Sequence, residues 1–218
     1  TQQLGVLVGG DLTVLEGSGA AIPPAHADAT ALVVAADEDP ELLGGYLGAY
    51  RVLLADLTVV TMAEPPRSSP HQVEATSEVL RHISRQTPIV CTVFRPQPLG
   101  PVDGAKVFFA TTASDAVSTS LAPYLQDRFG CEVVATSSHL ADRQALTADL
   151  AAAREFDVLL VELKAAAVDV AVRTAAARGA RVVFCDNRPV AVDQDSEITL
   201  DGAFRHLAQL AEERFAAG

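Results

Sequence analysis

Short, Val-rich apolar runs alternate with helix-like segments along nearly the whole of this 218-residue chain. That alternation restricts the fold more than any single motif. The strand-like runs cover residues 12–15, 31–35, 57–62, 89–94, 106–110, 132–135, 158–162 and 181–185. Each is continuously apolar, as strands buried on both faces of a parallel sheet are. Helical patterns lie between them at 40–54, 70–84, 114–129, 143–155 and 165–178, with a last one at about 202–215. Alternation of this kind implies right-handed βαβ units. The sequence therefore predicts an α/β fold of mostly parallel, doubly wound sheets.

A boundary is expected at Arg95-Pro96-Gln97-Pro98-Leu99-Gly100-Pro101. Prolines lack the backbone N–H that a central strand or helix needs, so three in six residues read as a linker. This divides the chain into 1–100 and 101–218. The first part reads as the C-terminal half of a P-loop NTPase-like domain. The second reads as a small Rossmann-like α/β substrate domain.

A net charge of −12 gives no basic field for nucleic acid, while leaving room for a few Arg and Lys to bind a small anion in a cleft. No apolar run is long enough to span a bilayer, and no membrane partner is expected. Cys91, Cys131 and Cys185 lie far apart in or beside apolar strands. They read as small buried hydrophobes in a reducing compartment rather than as a disulfide framework or zinc site. His26, His71, His82 and His206 show no metal-ligand spacing.

In open α/β sheets ligands bind beyond the carboxyl ends of the strands, which is where candidate chemistry is sought. The first apolar run ends in Glu16-Gly17-Ser18-Gly19. A carboxylate there, before glycines that admit close backbone approach, suits a metal–phosphate site. Glu16 is thus a candidate magnesium ligand and catalytic residue, and Gly17, Ser18 and Gly19 candidate nucleotide contacts. Arg95 and Pro96, after the fourth run, are further nucleotide contacts, set against the plainer reading of a solvated Arg. No Gly-x-x-x-x-Gly-Lys-Ser/Thr occurs in the sequence, and the chain starts at Thr1. The expectation is therefore the back part of a longer nucleotide-dependent enzyme whose P-loop portion is missing here.

In the second half, Thr111 and Thr112 stand before a helix, where hydroxyls either hold phosphate or simply cap. Ser137, Ser138, His139 and Arg143 share one loop, and a guanidinium there suits bidentate phosphate binding. Glu162-Leu163-Lys164 ends a strand and is expected to open the next helix. A cation at a helix N-terminus opposes the macrodipole unless an anion sits beside it. Lys164 and Arg143 are therefore candidate catalytic cations. Asp186-Asn187-Arg188-Pro189 is expected to follow the last strand, with Arg188 as a substrate contact.

Taken together, these segments resemble the cyclic 2,3-diphosphoglycerate synthetase family. The resemblance rests on Leu15–Pro24, Asp39–Arg51, Val93–Gly100, Val107–Ala113, Glu162-Leu163-Lys164-Ala165-Ala166-Ala167-Val168-Asp169 and Asp186-Asn187-Arg188-Pro189. It implies a ligase using ATP and Mg2+ to close an intramolecular phosphoanhydride in 2,3-diphosphoglycerate. It also implies a cytoplasmic homodimer with a small phosphorylated metabolite as its partner. The rivals are a non-catalytic phosphometabolite-binding module and a different P-loop ligase related to dethiobiotin synthetase. With the P-loop part expected elsewhere, these residues alone are expected to be inactive.

Overall fold

The structure, a computed structural model, describes residues 12–17, 26–163, 167–192 and 199–217. Its contacts cluster into two compact units, Thr1–Val93 with Ala191–Gly218, and Phe94–Val190. This division differs from the expected 1–100 and 101–218, because the last helix packs with the first unit.

In the first unit, β1 (Ala31–Ala35), β2 (Leu57–Thr61) and the start of β3 (Ile89–Pro98) pair in parallel, in that order. Helices α1 (Pro40–Gly44), α2 (Tyr46–Leu54) and α3 (Pro70–Ile83) supply Leu43, Val52 and Leu80 to a core with Val34 and Val60. The opposite face of β2, Leu57 and Val59, packs with Val90 and with Ala203 of α7 (Leu200–Ala217). Successive strand residues point to opposite faces, so helices on both sides explain the unbroken apolar pattern.

In the second unit, β4 (Lys106–Ala110) pairs in parallel with β5 (Glu132–Ser137) on one side and β6 (Val158–Glu162) on the other. β6 pairs in parallel with β7 (Arg181–Ala191). One face of this sheet packs Phe108, Leu159 and Val161 against Leu146 and Leu150 of α5 (Arg143–Ala152) and Ala171 and Ala175 of α6 (Val168–Ala177). The other packs Phe109 and Leu160 against Leu121 and Leu125 of α4 (Asp115–Phe129). The chain leaves β4 toward β5 and then returns across it to β6. The carboxyl end of β4 is therefore a topological switch point, the usual crevice for ligands in an open α/β sheet.

Several expectations are corrected. Residues 12–15 form no strand and are exposed. β3 runs through the expected linker to Pro98. Pro96 and Pro98 are two residues apart, so both missing N–H groups fall on the same edge of the strand. The expected helix over 40–54 breaks at Gly45, whose extended backbone (φ −71°, ψ 170°) separates α1 from α2. β7 continues past Cys185, so 186–189 lie within a strand rather than after one. Helix α6 begins at Val168, not at 165.

Candidate functional site

The buried polar centre of the second unit is Glu162, at the end of β6 and only 4% exposed. A carboxylate removed from water needs close hydrogen-bond partners to offset its desolvation. Glu162 accepts four. Thr111 donates its hydroxyl to Oε1 at 2.5 Å, and Asn187 donates Nδ2–H to the same oxygen at 2.9 Å. Thr112 donates both its backbone N–H and its hydroxyl to Oε2, each at 2.9 Å. One side chain thus ties the loop after β4 to Asn187 of β7, across the end of the sheet. Beside it, burial first and then the Glu162 charge push the Cys185 thiol up to about 12, leaving it a neutral packing group.

The loop after β5 joins the same edge through the backbone. Thr111 N–H donates to Ser137 O at 2.9 Å, and Leu140 N–H to Thr111 O at 3.2 Å. Asp149 on α5 organises that loop. It accepts from the buried Ser137 hydroxyl at 2.5 Å, and its Oδ2 lies 2.8 Å from His139 Nδ1. The hydrogen bond to Asp149 holds the exposed His139 imidazole above its ordinary range, with the charges of Asp149, Asp115 and Asp142 adding to it. Burial alone would raise the Asp149 carboxyl, but its bonds to Ser137 and His139 outweigh that and hold it low. Ser138 donates its hydroxyl to Asp115.

The expected cations are placed as follows. Arg143, at the start of α5, faces Asp169 with both terminal nitrogens, Nη1 to Oδ2 and Nη2 to Oδ1 at 3.0 Å each. Asp169 also takes Arg173 at 2.7 Å. Arg188 is exposed, 3.8 Å from Asp186. The Arg95 guanidinium lies 5.5 Å from the centre of the Tyr124 ring and donates to Phe94 O at 3.1 Å, and Pro96 is buried in β3. Lys164, Ser18 and Gly19 lie outside the described residues. Glu16 and Gly17 are exposed, in no strand or helix, so the buried strand end expected around Glu16 is not there. Among the described residues no three His, Cys, Asp or Glu side chains cluster to hold a metal.

The switch point therefore brings together Thr111, Thr112, Ser137, Ser138 and His139. The sequence motifs include Glu162 and Asn187 but assign their roles to Lys164 and Arg188, and Asp149 and Asp115, which also organise the site, were missed. For Glu162 the signal was present, because a carboxylate closing an apolar strand must find donors. Asp149 sits in an unremarkable stretch of α5 and left no such signal.

Two family models match the chain. The cyclic 2,3-diphosphoglycerate synthetase P-loop domain matches residues 2–93, and the cyclic 2,3-diphosphoglycerate synthetase C-terminal domain matches residues 98–188. The first match corrects the expectation that the P-loop domain is missing: residues 2–93 correspond to it, although the sequence holds no Gly-x-x-x-x-Gly-Lys-Ser/Thr. Among similar proteins, one from Rubrobacter xylanophilus is 47% identical over 92% of this chain and 44% of its own length. One from Methanothermus fervidus is 39% identical over 94% of this chain and 45% of its own. One from Methanothermobacter thermautotrophicus is 42% identical over 84% of this chain and 40% of its own. All three are named cyclic 2,3-diphosphoglycerate synthetase. The chain spans less than half the length of these relatives.

Proposed function

We propose a function from one premise: the chain belongs to the cyclic 2,3-diphosphoglycerate synthetase family. The whole enzyme is an ATP-dependent ligase that joins the two phosphates of 2,3-diphosphoglycerate into an internal phosphoanhydride. The observation that carries the reading to this chain is the hydroxyl, amide and imidazole cluster at the switch point of the second unit. It stands where an open sheet receives ligands.

Two phosphates brought to bonding distance repel, so the site must neutralise charge and hold both groups in line. His139 suits the first task. With Nδ1 toward Asp149, its Nε2–H is a donor whenever the ring is protonated, and Asp149 favours that state. Arg188, Arg143 and Lys164 are the further cations assigned to the substrate. Arg143 would trade one of its bonds to Asp169 for a phosphate oxygen. Thr111 and Thr112 act here through the course of their backbone, because their hydroxyl protons go to Glu162.

The P-loop-domain match supports nucleotide use in the first unit, with Glu16, Gly17, Ser18 and Gly19 as the proposed contacts. Arg95, beside the Tyr124 ring, and Pro96 are proposed as further nucleotide contacts. Magnesium is often held by one or two carboxylates together with substrate phosphates and water. The exposed Glu16 carboxylate fits that limited role, and no larger protein shell occurs among the described residues. When bound, the ion would offset phosphate charge. Homodimer formation and a cytoplasmic location are carried by the family resemblance. No described helix is long and apolar enough to cross a membrane.

The test is phosphorus NMR on the full-length protein supplied with ATP, Mg2+ and 2,3-diphosphoglycerate. Conversion of the two monoester signals to a cyclic anhydride, dependent on ATP, is expected. Binding of the metabolite without turnover would make the protein a carrier or sensor instead.

A further inference from the structure

We propose that Glu162 is the positioning residue of this site: it sets the loop after β4 and Asn187 of β7 to receive the phosphorylated metabolite, and does not touch the metabolite itself. The proposal rests on the functional reading above.

Two facts place Glu162 behind the ligand rather than against it. An ionised carboxylate has only acceptor positions, and a phosphate oxygen brought against it would be repelled. Both of its oxygens already receive two donors each: Thr111 Oγ1 and Asn187 Nδ2 on one, Thr112 N and Oγ1 on the other. The side chain is 4% exposed and closes a strand that is buried along its length.

The same bonds give it reach. The Thr111 hydroxyl that donates to Glu162 also accepts the Ala113 N–H at 2.9 Å. Ser114 supplies no side-chain cap to α4. The course of residues 111–114 into α4 therefore depends on a chain of bonds that starts at Glu162. Thr111 is in turn bonded through its N–H and C=O to Ser137 and Leu140, on either side of His139. A shift at Glu162 would move the β4 loop directly and the His139 loop through it.

Glu162→Gln keeps the shape and turns one acceptor into a donor. The new amide cannot face the Thr112 N–H, which has no second orientation, so it faces Thr111 and Asn187. The Thr111 hydroxyl can rotate to accept. The Asn187 amide, which now donates to Glu162, must swap its ends to accept instead. Asn187→Asp in the same protein supplies an acceptor there and exchanges the amide and carboxylate of the pair.

The experiment uses the full-length protein, with calorimetric titration of 2,3-diphosphoglycerate and amide hydrogen exchange of the unliganded protein. Glu162→Gln is expected to weaken binding at least tenfold and to speed exchange at Thr112 and Ala113. The Glu162→Gln/Asn187→Asp double variant is expected to recover the slow exchange but not the affinity, because a carboxylate at the exposed position 187 repels the metabolite's phosphates. Thr112→Val, which removes one hydroxyl bond and keeps the backbone bond, serves if Glu162→Gln does not fold. It should weaken binding severalfold, and Thr112→Ser should bind like wild type. Glu162→Gln with wild-type affinity and a lower melting point would make Glu162 structural only and overturn the proposal. If the wild-type protein does not bind the metabolite, the functional reading falls. The positioning role is then decided by exchange alone, sustained if Glu162→Gln speeds Thr112 exchange and the double variant reverses it, and overturned if exchange is unchanged.

Discussion

His139 and Asp149 form a titratable pair with a defined pH window. The bond to Asp149 raises the folded-state pKa of His139, and the bonds from Ser137 and His139 lower that of Asp149. A raised imidazole pKa contributes stability that is full below its unfolded value and is lost as pH rises through the folded value. A depressed carboxyl contributes stability present above its unfolded value and lost as pH falls through the folded one. The pair is therefore strongest between the ordinary carboxylate and imidazole ranges. We expect an NMR titration of His139 to show a midpoint above that of free histidine, and Asp149→Asn to bring it down. Metabolite affinity should weaken as pH rises through that midpoint, with Asp115 and Asp142 adding to the shift. An ordinary midpoint in the wild type would remove His139 as a phosphate donor. The sequence showed His139 but not its partner, which lies ten residues on in another element. The converse holds for the carboxylates. A carboxylate needs protein partners only where it is buried: Glu16 is exposed and meets water, whereas Glu162 is buried and takes four donors.

Among the strands that the sequence disclosed most fully are β4 and β6, buried on both faces over nearly their whole length, because double burial leaves few polar residues to blur the pattern. The ends of β3 and β7 were hidden by proline and by polar residues outside the buried core. Position along the strand decides whether a missing N–H matters, and composition does not record it. The break between α1 and α2 was hidden for another reason: helical periodicity continues across Gly45, while the backbone turns there. Gly48 makes that turn possible. A Cβ at Gly48 would run into the carbonyl oxygens of Leu42 and Leu43. Gly48→Ala is therefore expected to destabilise the protein by about 1–3 kcal/mol, the range for overpacking, despite the better helix propensity of Ala. Urea denaturation would show it as a lower midpoint. A higher midpoint would mean that the α1–α2 turn can open without loss.

The two units differ in how they are closed. The second holds its cores within residues 102–185, whereas the first depends on a helix that returns after residue 190. This return was not legible in advance. α7 is amphipathic like any surface helix, and nothing in its pattern names the sheet it covers. The chain spans less than half the length of its relatives. The 218-residue chain has no Gly-x-x-x-x-Gly-Lys-Ser/Thr and should not turn over ATP by itself. ATP hydrolysis by the purified chain, lost in Glu16→Gln, would refute that. The dependence on α7 gives the last prediction. Ala203 of α7 covers Leu57, Val59 and Val90, which are 2–4% exposed, and each large apolar side chain contributes about 1.5–3 kcal/mol when fully buried. The helix is also latched near its end: Arg214 grips both oxygens of Asp56 at 3.0 and 2.7 Å and donates to Asp28 O at 2.9 Å. Removing residues 199–218 exposes that sheet face and frees Asp56, a loss comparable with the whole stability of a domain, about 5–15 kcal/mol. Hydrogen exchange in the truncated chain should therefore lose protection at Val59 and Val60 while Phe108 and Leu160 keep theirs. Arg214→Ala should shift the first set in the same direction by less. Equal loss of protection in both sets would mean that the two units unfold as one, and that α7 stabilises the molecule as a whole rather than its first unit.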